Sequence, residues 1–379
     1  MTSTSAPKNI LIIGGGIAGV STAYFLSTHP LRSPSTHITI VEGTKIAAAA
    51  SGFSGGFLAK DWHGTATSSL SAMSYDLHAA LAKEFNGKEN WGYRTVDTLS
   101  IEFDSTRKSR KPSPLPWLSP GRVHAYRALG SHNTTAQIHP GLFTTVISEK
   151  FLAQSSTSLV NATAESLKLE DGKPRSVGVV SSEGEKTEIE ADIVVLAAGP
   201  WTGRLAEQLL GEQVGGRLGV QGHRAHSIIL KTKEKLSATC LFTSMTMEDG
   251  SIGVPEVYAR PDGTTYICEA GDDEPLPDNA ADISPSKTAI AKLHKQSHTL
   301  SSIFLPENGA EVVSEQACYL PIADRGRPLI GKVRDVKGVY IGSGFSCWGI
   351  TQGPGTGKVL AEMILEGHAK SADISKLGP

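Results

Sequence analysis

The chain has 379 residues, 39% of them hydrophobic and 20% charged, with a formal net charge of -2. That length and apolar content provide for two or so sizeable cores and exclude a disordered chain. The near-balanced charge gives no general attraction to nucleic acid or to anionic membranes. The four cysteines, Cys240, Cys268, Cys318 and Cys347, form no Cys-x-x-Cys pair. This points away from a zinc site or a disulfide framework and toward free thiols in a reducing compartment. The N-terminus lacks a basic n-region, and no apolar run is long enough to cross a bilayer, so neither a signal peptide nor a transmembrane segment is expected. The expected location is the cytoplasm. The sequons at Asn133 and Asn161 are then chance matches, and Ser375-Lys376-Leu377 is not a peroxisomal signal because Gly378 and Pro379 follow it.

Ile10-Leu11-Ile12-Ile13 predicts a strand buried on both faces of a parallel sheet. A glycine turn and a helix-forming stretch follow, with the spacing Gly14-x-Gly16-x-x-Gly19. Gly14 permits the sharp turn, Gly16 lets backbone approach a pyrophosphate, and Gly19 lets the helix lie against the strand. The helix N-terminus, at Ile17 and Ala18, then offers free N–H groups and a partial positive charge. His37 to Val41 predicts a second strand, with Glu42 at its end to accept ribose hydroxyls. The spacing to Glu42 exceeds the usual one, and residues 29–36 account for the excess as a loop insertion. Ser51, Gly52, Ser54, Gly55 and Gly56 suit a backbone passing close to a bulky polar ligand.

Residues 68–85 have helical spacing of Leu70, Met73, Leu77, Leu81 and Phe85. Residues 91–135 are mixed, with an exposed basic loop at 106–116. A helix is predicted over 141–154 and a strand over 159–169. Glu170-Asp171-Gly172-Lys173 forms a turn, and residues 176–181 and 187–190 pair about Glu183-Gly184. Ala191 to Trp201 predicts a buried strand ending in small residues at a sheet's carboxyl edge. Residues 215–313 read as a different region, with strands at 225–231, 256–260 and 264–269, a hairpin at Pro261-Asp262-Gly263, and mostly helix over 284–305. Strand character returns at 328–331 and 338–344. The last helix is predicted over 353–367, its N-terminus a second dipole for an electron-rich ligand atom.

Four blocks in this order resemble a known family: 14–19 with Glu42, 51–56, 194–201 and 321–357. The chain resembles the FAD-dependent D-amino-acid oxidase, glycine oxidase and sarcosine oxidase family. It looks most like fungal members implicated in late-endosome-to-Golgi trafficking, on ACYLPIADRGRPLIG and GSGFSCWGITQGPGTG. The resemblance implies an α/β fold: a Rossmann-like FAD-binding domain of the glutathione-reductase type, interleaved with an α+β substrate domain carrying a mixed or antiparallel sheet. The expected division is 1–85, 140–214 and 315–379 for FAD, and 86–139 and 215–314 for substrate. The family implies that Gly14, Gly16, Ile17, Ala18 and Gly19 bind the pyrophosphate. Glu42, Gly43 and Thr44 lie at the ribose, although many flavoproteins carry a basic residue after the acid where this chain has Gly43-Thr44. Ser51, Gly52, Ser54, Gly55 and Gly56 would line the ribityl chain. Ala164 would give backbone contacts to adenine, and Ala198, Gly199 and Trp201 would close over the dinucleotide. Gly344, Trp348, Gly349, Ile350 and Thr351 would approach the flavin.

In this family the substrate is usually a primary or secondary amine next to a carboxylate, oxidised to an imine, with O2 as the expected acceptor. Arginine matches a carboxylate bidentately, and Arg260, with Tyr258 two residues earlier on the same face, is the substrate-positioning candidate. The structural alternative is a surface arginine and a core-edge tyrosine. Arg224, His226 and Arg327 are weaker candidates. Cys318 stands at the spacing where the sarcosine oxidase branch carries a cysteine joined to the flavin; the alternative is a buried free thiol. The resemblance leaves a second function open, a flavoprotein peripheral on endosomes whose redox chemistry is vestigial. A module using NAD would leave residues 51–56 and the C-terminal block unexplained.

Overall fold

The computed structural model describes residues 7–379. Its centre is a six-stranded sheet in the order Leu329–Lys332, Val339–Ser343, Ile193–Leu196, Asn9–Ile13, His37–Glu42 and Thr157–Asn161. All neighbours pair parallel except Leu329–Lys332, which runs antiparallel at one edge. The apolar run at its heart is buried on both faces, as predicted. Ile10 and Ile12 face a helical layer, while Leu11 and Ile13 face the opposite side. That two-residue alternation is the strand period, and each such side chain contributes about 1.5–3 kcal/mol on burial.

The helical layer comprises Ile17–Ser27, Ser68–Glu84, Pro140–Leu152 and Gly349–Leu365. The other face is covered by Thr202–Leu210 and a three-stranded antiparallel sheet, Thr163–Glu170, Lys173–Val180 and Lys186–Glu190. The strand predicted over 159–169 is therefore two strands in two sheets. The corner is Ala162, whose N–H donates to the Glu42 carbonyl at 3.0 Å. No glycine or proline marks that corner; pairing of Val160 and Asn161 with Val41 and Glu42 imposes it.

A second large sheet is eight-stranded and mostly antiparallel. Its order is Glu311–Ala323, Val220–Lys231, Thr264–Asp272, Glu256–Ala259, Thr239–Thr246, Asp97–Asp104 and Val123–Gly130, with Ile252–Gly253 beside Thr239–Thr246. The strand Glu311–Ala323 runs through position 315, where the sequence suggested a boundary. One face packs on the helix Lys287–Leu300, through Ile228, Leu241, Val257 and Ile267 against Ile290 and Leu293. Buried Glu269 ties that helix down, accepting from Lys292 Nζ and Gln296 Nε2 at 2.8 Å each and from the Val254 N–H at 2.7 Å. The opposite face carries Cys240, Phe242, Tyr258, Tyr266 and Cys268, against Phe57. Among the described residues, no helix is long and apolar enough to cross a membrane.

Candidate functional site

A cavity of about 390 Å³ opens at the carboxyl edge of the parallel sheet. This is the place where an open α/β sheet leaves room for a ligand, and the size suits a small-molecule site. The first turn builds one wall. Gly14 has φ +116°, and a Cβ there would sit 2.4 Å from the Ala197 carbonyl oxygen. A Cβ at Gly19 would meet the Gly14 carbonyl at 2.0 Å, so the helix can lie on the strand only with glycine there. Ser51 Oγ accepts from the Ile17 N–H at 2.9 Å and fixes the helix start. Among the described residues, no protein acceptor meets the amides of Gly16 and Ala18, and both residues line the cavity.

Glu42 closes the end of the second strand. Its Oε2 accepts from the Gly15 N–H at 2.7 Å, and its Oε1 accepts from Thr44 N and Oγ1 at 2.9 and 2.8 Å. One acceptor position remains, on Oε2, because a carboxylate offers about four lone-pair positions and three are taken. Thr44, not a basic side chain, holds the acid in place.

Of the residues singled out from sequence, Gly14, Gly16, Ile17, Ala18, Glu42, Gly43, Thr44, Ser51, Ser54, Ala164, Ala198, Gly199, Trp201, Gly349 and Ile350 line this cavity. Gly19, Gly52, Gly55, Gly56, Tyr258, Arg260, Cys318, Gly344, Trp348 and Thr351 do not. The glycines among them act one layer back. A Cβ at Gly52 would strike the Ala47 carbonyl, and one at Gly56, φ +82°, the Ile138 carbonyl. A Cβ at Gly55 would lie 2.4 Å from the Tyr258 ring.

The last helix begins at Gly349, four residues earlier than predicted, and carries Pro354 inside it. Proline removes the N–H that would bond the Ile350 carbonyl. His78 Nε2 donates to that carbonyl instead, at 2.8 Å, and Ser74 Oγ accepts from the Gly355 N–H at 2.7 Å. His78 is fully buried, and burial pushes its pKa down to about 4, so it stays neutral with the proton on Nε2. Gly353, Gly355 and Gly357 are packing positions. Their missing side chains admit Ile17, Ser74 and the backbone of Ser21. In this way the neighbouring helices hold the first turn, Gly349 and Ile350, at the cavity.

Sequence reasoning missed several lining residues. Ala48, Ala49 and Ala50 belong to a visible run of small residues. Arg204 and Gln208 stand four apart on the helix after Trp201, a spacing that puts them on one face. Asp278 to Ala280 carry no local signal; Trp201 Nε1 donates to the Pro277 carbonyl at 2.7 Å, and Arg204 pairs with Asp278. Leu320, Pro321 and Cys347 complete the far wall.

Arg260 is buried, not a surface residue. Its Nη2 lies 3.4 Å from the Ser54 carbonyl, its guanidinium rests 5.3 Å from the centre of the Tyr266 ring, and its Nε has no partner. Tyr258 lies on the same face, stacked between Phe57 and Tyr266. Arg224 is held bidentately by Asp272 at 2.7 and 2.8 Å, His226 Nε2 accepts from the Ser286 N–H, and Arg327 is exposed. Cys318 is a buried thiol, which burial pushes up to about 12.

Residues 9–363 match the model of a family described as FAD dependent oxidoreductase, DAO. The chain belongs to this family. It is 37% identical to the candidate oxidoreductase C1F5.03c of Schizosaccharomyces pombe, over 99% of this chain and 98% of that one. With the candidate oxidoreductase TDA3 of Saccharomyces cerevisiae it shares 27% identity, over 100% and 95%. The fold matches the crystal structure of glycine oxidase from Bacillus cereus, with TM-score 0.75, 19% identity and 98% of each chain covered. The protein is thus an FAD-dependent oxidoreductase. The cavity fits FAD on its own chemistry: a glycine turn with free amides for phosphate, a carboxylate for ribose, and Ser54 Oγ, buried and unpartnered, at its edge.

Proposed function

We propose that the protein oxidises a primary or secondary amine, or an amino acid, to an imine, with O2 as the final acceptor. The carrying observation is that the cavity abuts the face of the antiparallel sheet opposite its covering helix. Ser54 lines the cavity, and the next residue, Gly55, lies against the Tyr258 ring on that face. A dinucleotide in the cavity would therefore end at a surface able to hold a second molecule. The name of the glycine oxidase relative describes amine chemistry of this kind.

FAD, when bound, supplies the two-electron acceptor for a hydride from the carbon next to nitrogen. The chain's own residues bind and orient. Gly14, Gly16, Ile17 and Ala18 would receive the pyrophosphate, with Gly19 holding the helix against the strand behind them, and Glu42 with Gly43 and Thr44 the ribose. Ala164, Ala198, Gly199 and Trp201 would enclose the adenosine end. Ser51, Ser54, Gly349 and Ile350 would surround the flavin end, where helix-terminal amides favour the negative charge of reduction. Arg260 would position residues 54–55 through the Ser54 carbonyl, and Tyr258 would form part of the substrate wall.

The test is anaerobic mixing of purified yellow protein with glycine, sarcosine, D- and L-proline and benzylamine. Bleaching of the flavin by at least one of them, and hydrogen peroxide on readmitting air, are the expected results. A flavin that none of them reduces would overturn the catalytic reading and favour a role outside amine oxidation.

A further inference from the structure

Glu256 stands on the sheet face next to the cavity. It is in register with Phe242 on one side and Cys268 on the other. Tyr258 Oη donates to Glu256 Oε2, and Cys268 Sγ lies 3.7 Å from the same oxygen. Oε1 has no protein partner, and no lysine, arginine or histidine pairs with this side chain among the described residues. The nearby cations do not pair with it: Arg94 donates to the Ala259 carbonyl at 2.6 Å, and buried Arg260 reaches the Ser54 carbonyl at 3.4 Å with its Nε unpartnered. Arg204, the one arginine lining the cavity, pairs with Asp278.

Around the acid stands a wall of rings. Phe242 lies 5.2 Å from Trp62, 5.3 Å from Phe57 and 5.9 Å from Tyr258, centre to centre. Trp348 adjoins Trp62 at 6.4 Å and precedes the helix turn at the cavity. Phe57, Trp62, Phe242, Trp348 and Glu256 are all half-buried, so each presents surface to a ligand. An unpaired carboxylate among aromatic rings is costly until a cation meets it. The negative ring faces attract the same cation.

We infer that Glu256 and the aromatic wall of Phe57, Trp62, Phe242 and Trp348 form a subsite for an organic ammonium ion, and that the site takes amines carrying no carboxylate. This rests on the amine reading above and narrows it. The wall itself contains no arginine to meet a carboxylate-bearing substrate, and Glu256 repels it.

Charge on Glu256 depends on its neighbours. Burial pushes its carboxyl above the ordinary range, while the Tyr258 and Cys268 donors lower it. The other titratable groups facing it are Cys240 on the adjacent strand, opposite Tyr258, and Cys347 at the cavity rim. Binding of a permanent cation should therefore weaken as the pH drops through the midpoint of this carboxyl, which burial sets above the ordinary carboxylate range. Tyr258→Phe deletes a donor that holds the midpoint down, so the midpoint should move up.

The experiment titrates FAD-loaded protein with benzyltrimethylammonium and with benzoate, following the flavin absorption band and tryptophan fluorescence. Neither probe can be oxidised to an imine, so binding is read without turnover. The expected result is at least tenfold tighter binding of the cation, a tenfold or greater loss in Glu256→Gln, and the upward midpoint shift in Tyr258→Phe. Tighter binding of benzoate, or a cation affinity independent of pH in the wild-type protein, would overturn the inference even where the variants fail to fold. Cation binding without reduction by any amine would sink the proposed reaction and leave this subsite standing. Reduction by amino acids with no cation preference would do the reverse.

Discussion

Glu42 is the residue whose role is most exposed to test. Its carboxylate fixes the Gly15 and Thr44 amides and faces the cavity. A bond from a hydroxyl to a charged acceptor contributes about 1.5–3 kcal/mol. Glu42→Ala should therefore weaken FAD binding roughly 10- to 150-fold, read by fluorescence titration of apoprotein; an unchanged affinity would refute the ribose role. Cys318 gives a second residue-level test. A nucleophile must be a thiolate, and burial keeps this thiol protonated. Acid precipitation should leave the yellow colour in the supernatant, and colour in the pellet would show a covalent bond instead.

At the scale of elements, the last helix shows what a sequence can and cannot disclose. Its glycines were visible as a block, as were the strand 10–13, the turn at Gly14 and the acid at Glu42, because each of these is local chemistry. The helix start at Gly349 was not visible, because Pro354 reads as a boundary unless His78 and Ser74, some 280 residues away, replace the lost bonds. The corner at Ala162 and the approach of Asp278 to the cavity were hidden for the same reason: partners distant in the chain impose them. His78→Leu should cost about 1–3 kcal/mol at pH 7 by leaving the buried Ile350 carbonyl unpaired. Its pH signature is specific. The folded state holds His78 neutral down to about pH 4, whereas the unfolded chain takes up the proton near 6.5. The unfolded state binds more protons between those values, so wild-type stability falls by about 3 kcal/mol as the pH drops from 6.5 to 4. The leucine variant lacks that loss, and denaturant titrations at both pH values should show the gap closing. Gly357→Ala would place a Cβ 2.4 Å from the Ser21 carbonyl carbon, and overpacking of this kind costs about 1–3 kcal/mol. A thermal midpoint unchanged by that alanine would mean the two helices can separate freely.

At the scale of the molecule, the cavity is built from separated stretches of chain. Residues 14–18, 41–54, 197–208 and 342–350 come from the parallel sheet and its turns, while Leu320 and Pro321 come from the edge strand of the antiparallel sheet. FAD would therefore touch both large sheets at once, and its binding energy would be shared by both. A ligand bound only by the folded state stabilises it by about 2.7 kcal/mol at one hundred times its Kd. For a chain of this length that corresponds to roughly 3 °C in thermal midpoint. The shape of the transition carries more information than its position. If the two sheets unfold as one cooperative unit, calorimetry of stripped and FAD-loaded protein should show a single transition that moves as a whole. If Leu320 and Pro321 merely border the cofactor, two transitions should appear, and only the parallel-sheet transition should respond to FAD. The single, mobile transition is expected, because the strand Glu311–Ala323 pairs along its length with Val220–Lys231 while its end walls the cavity. The antiparallel sheet then has no route to unfold that leaves the cofactor site intact.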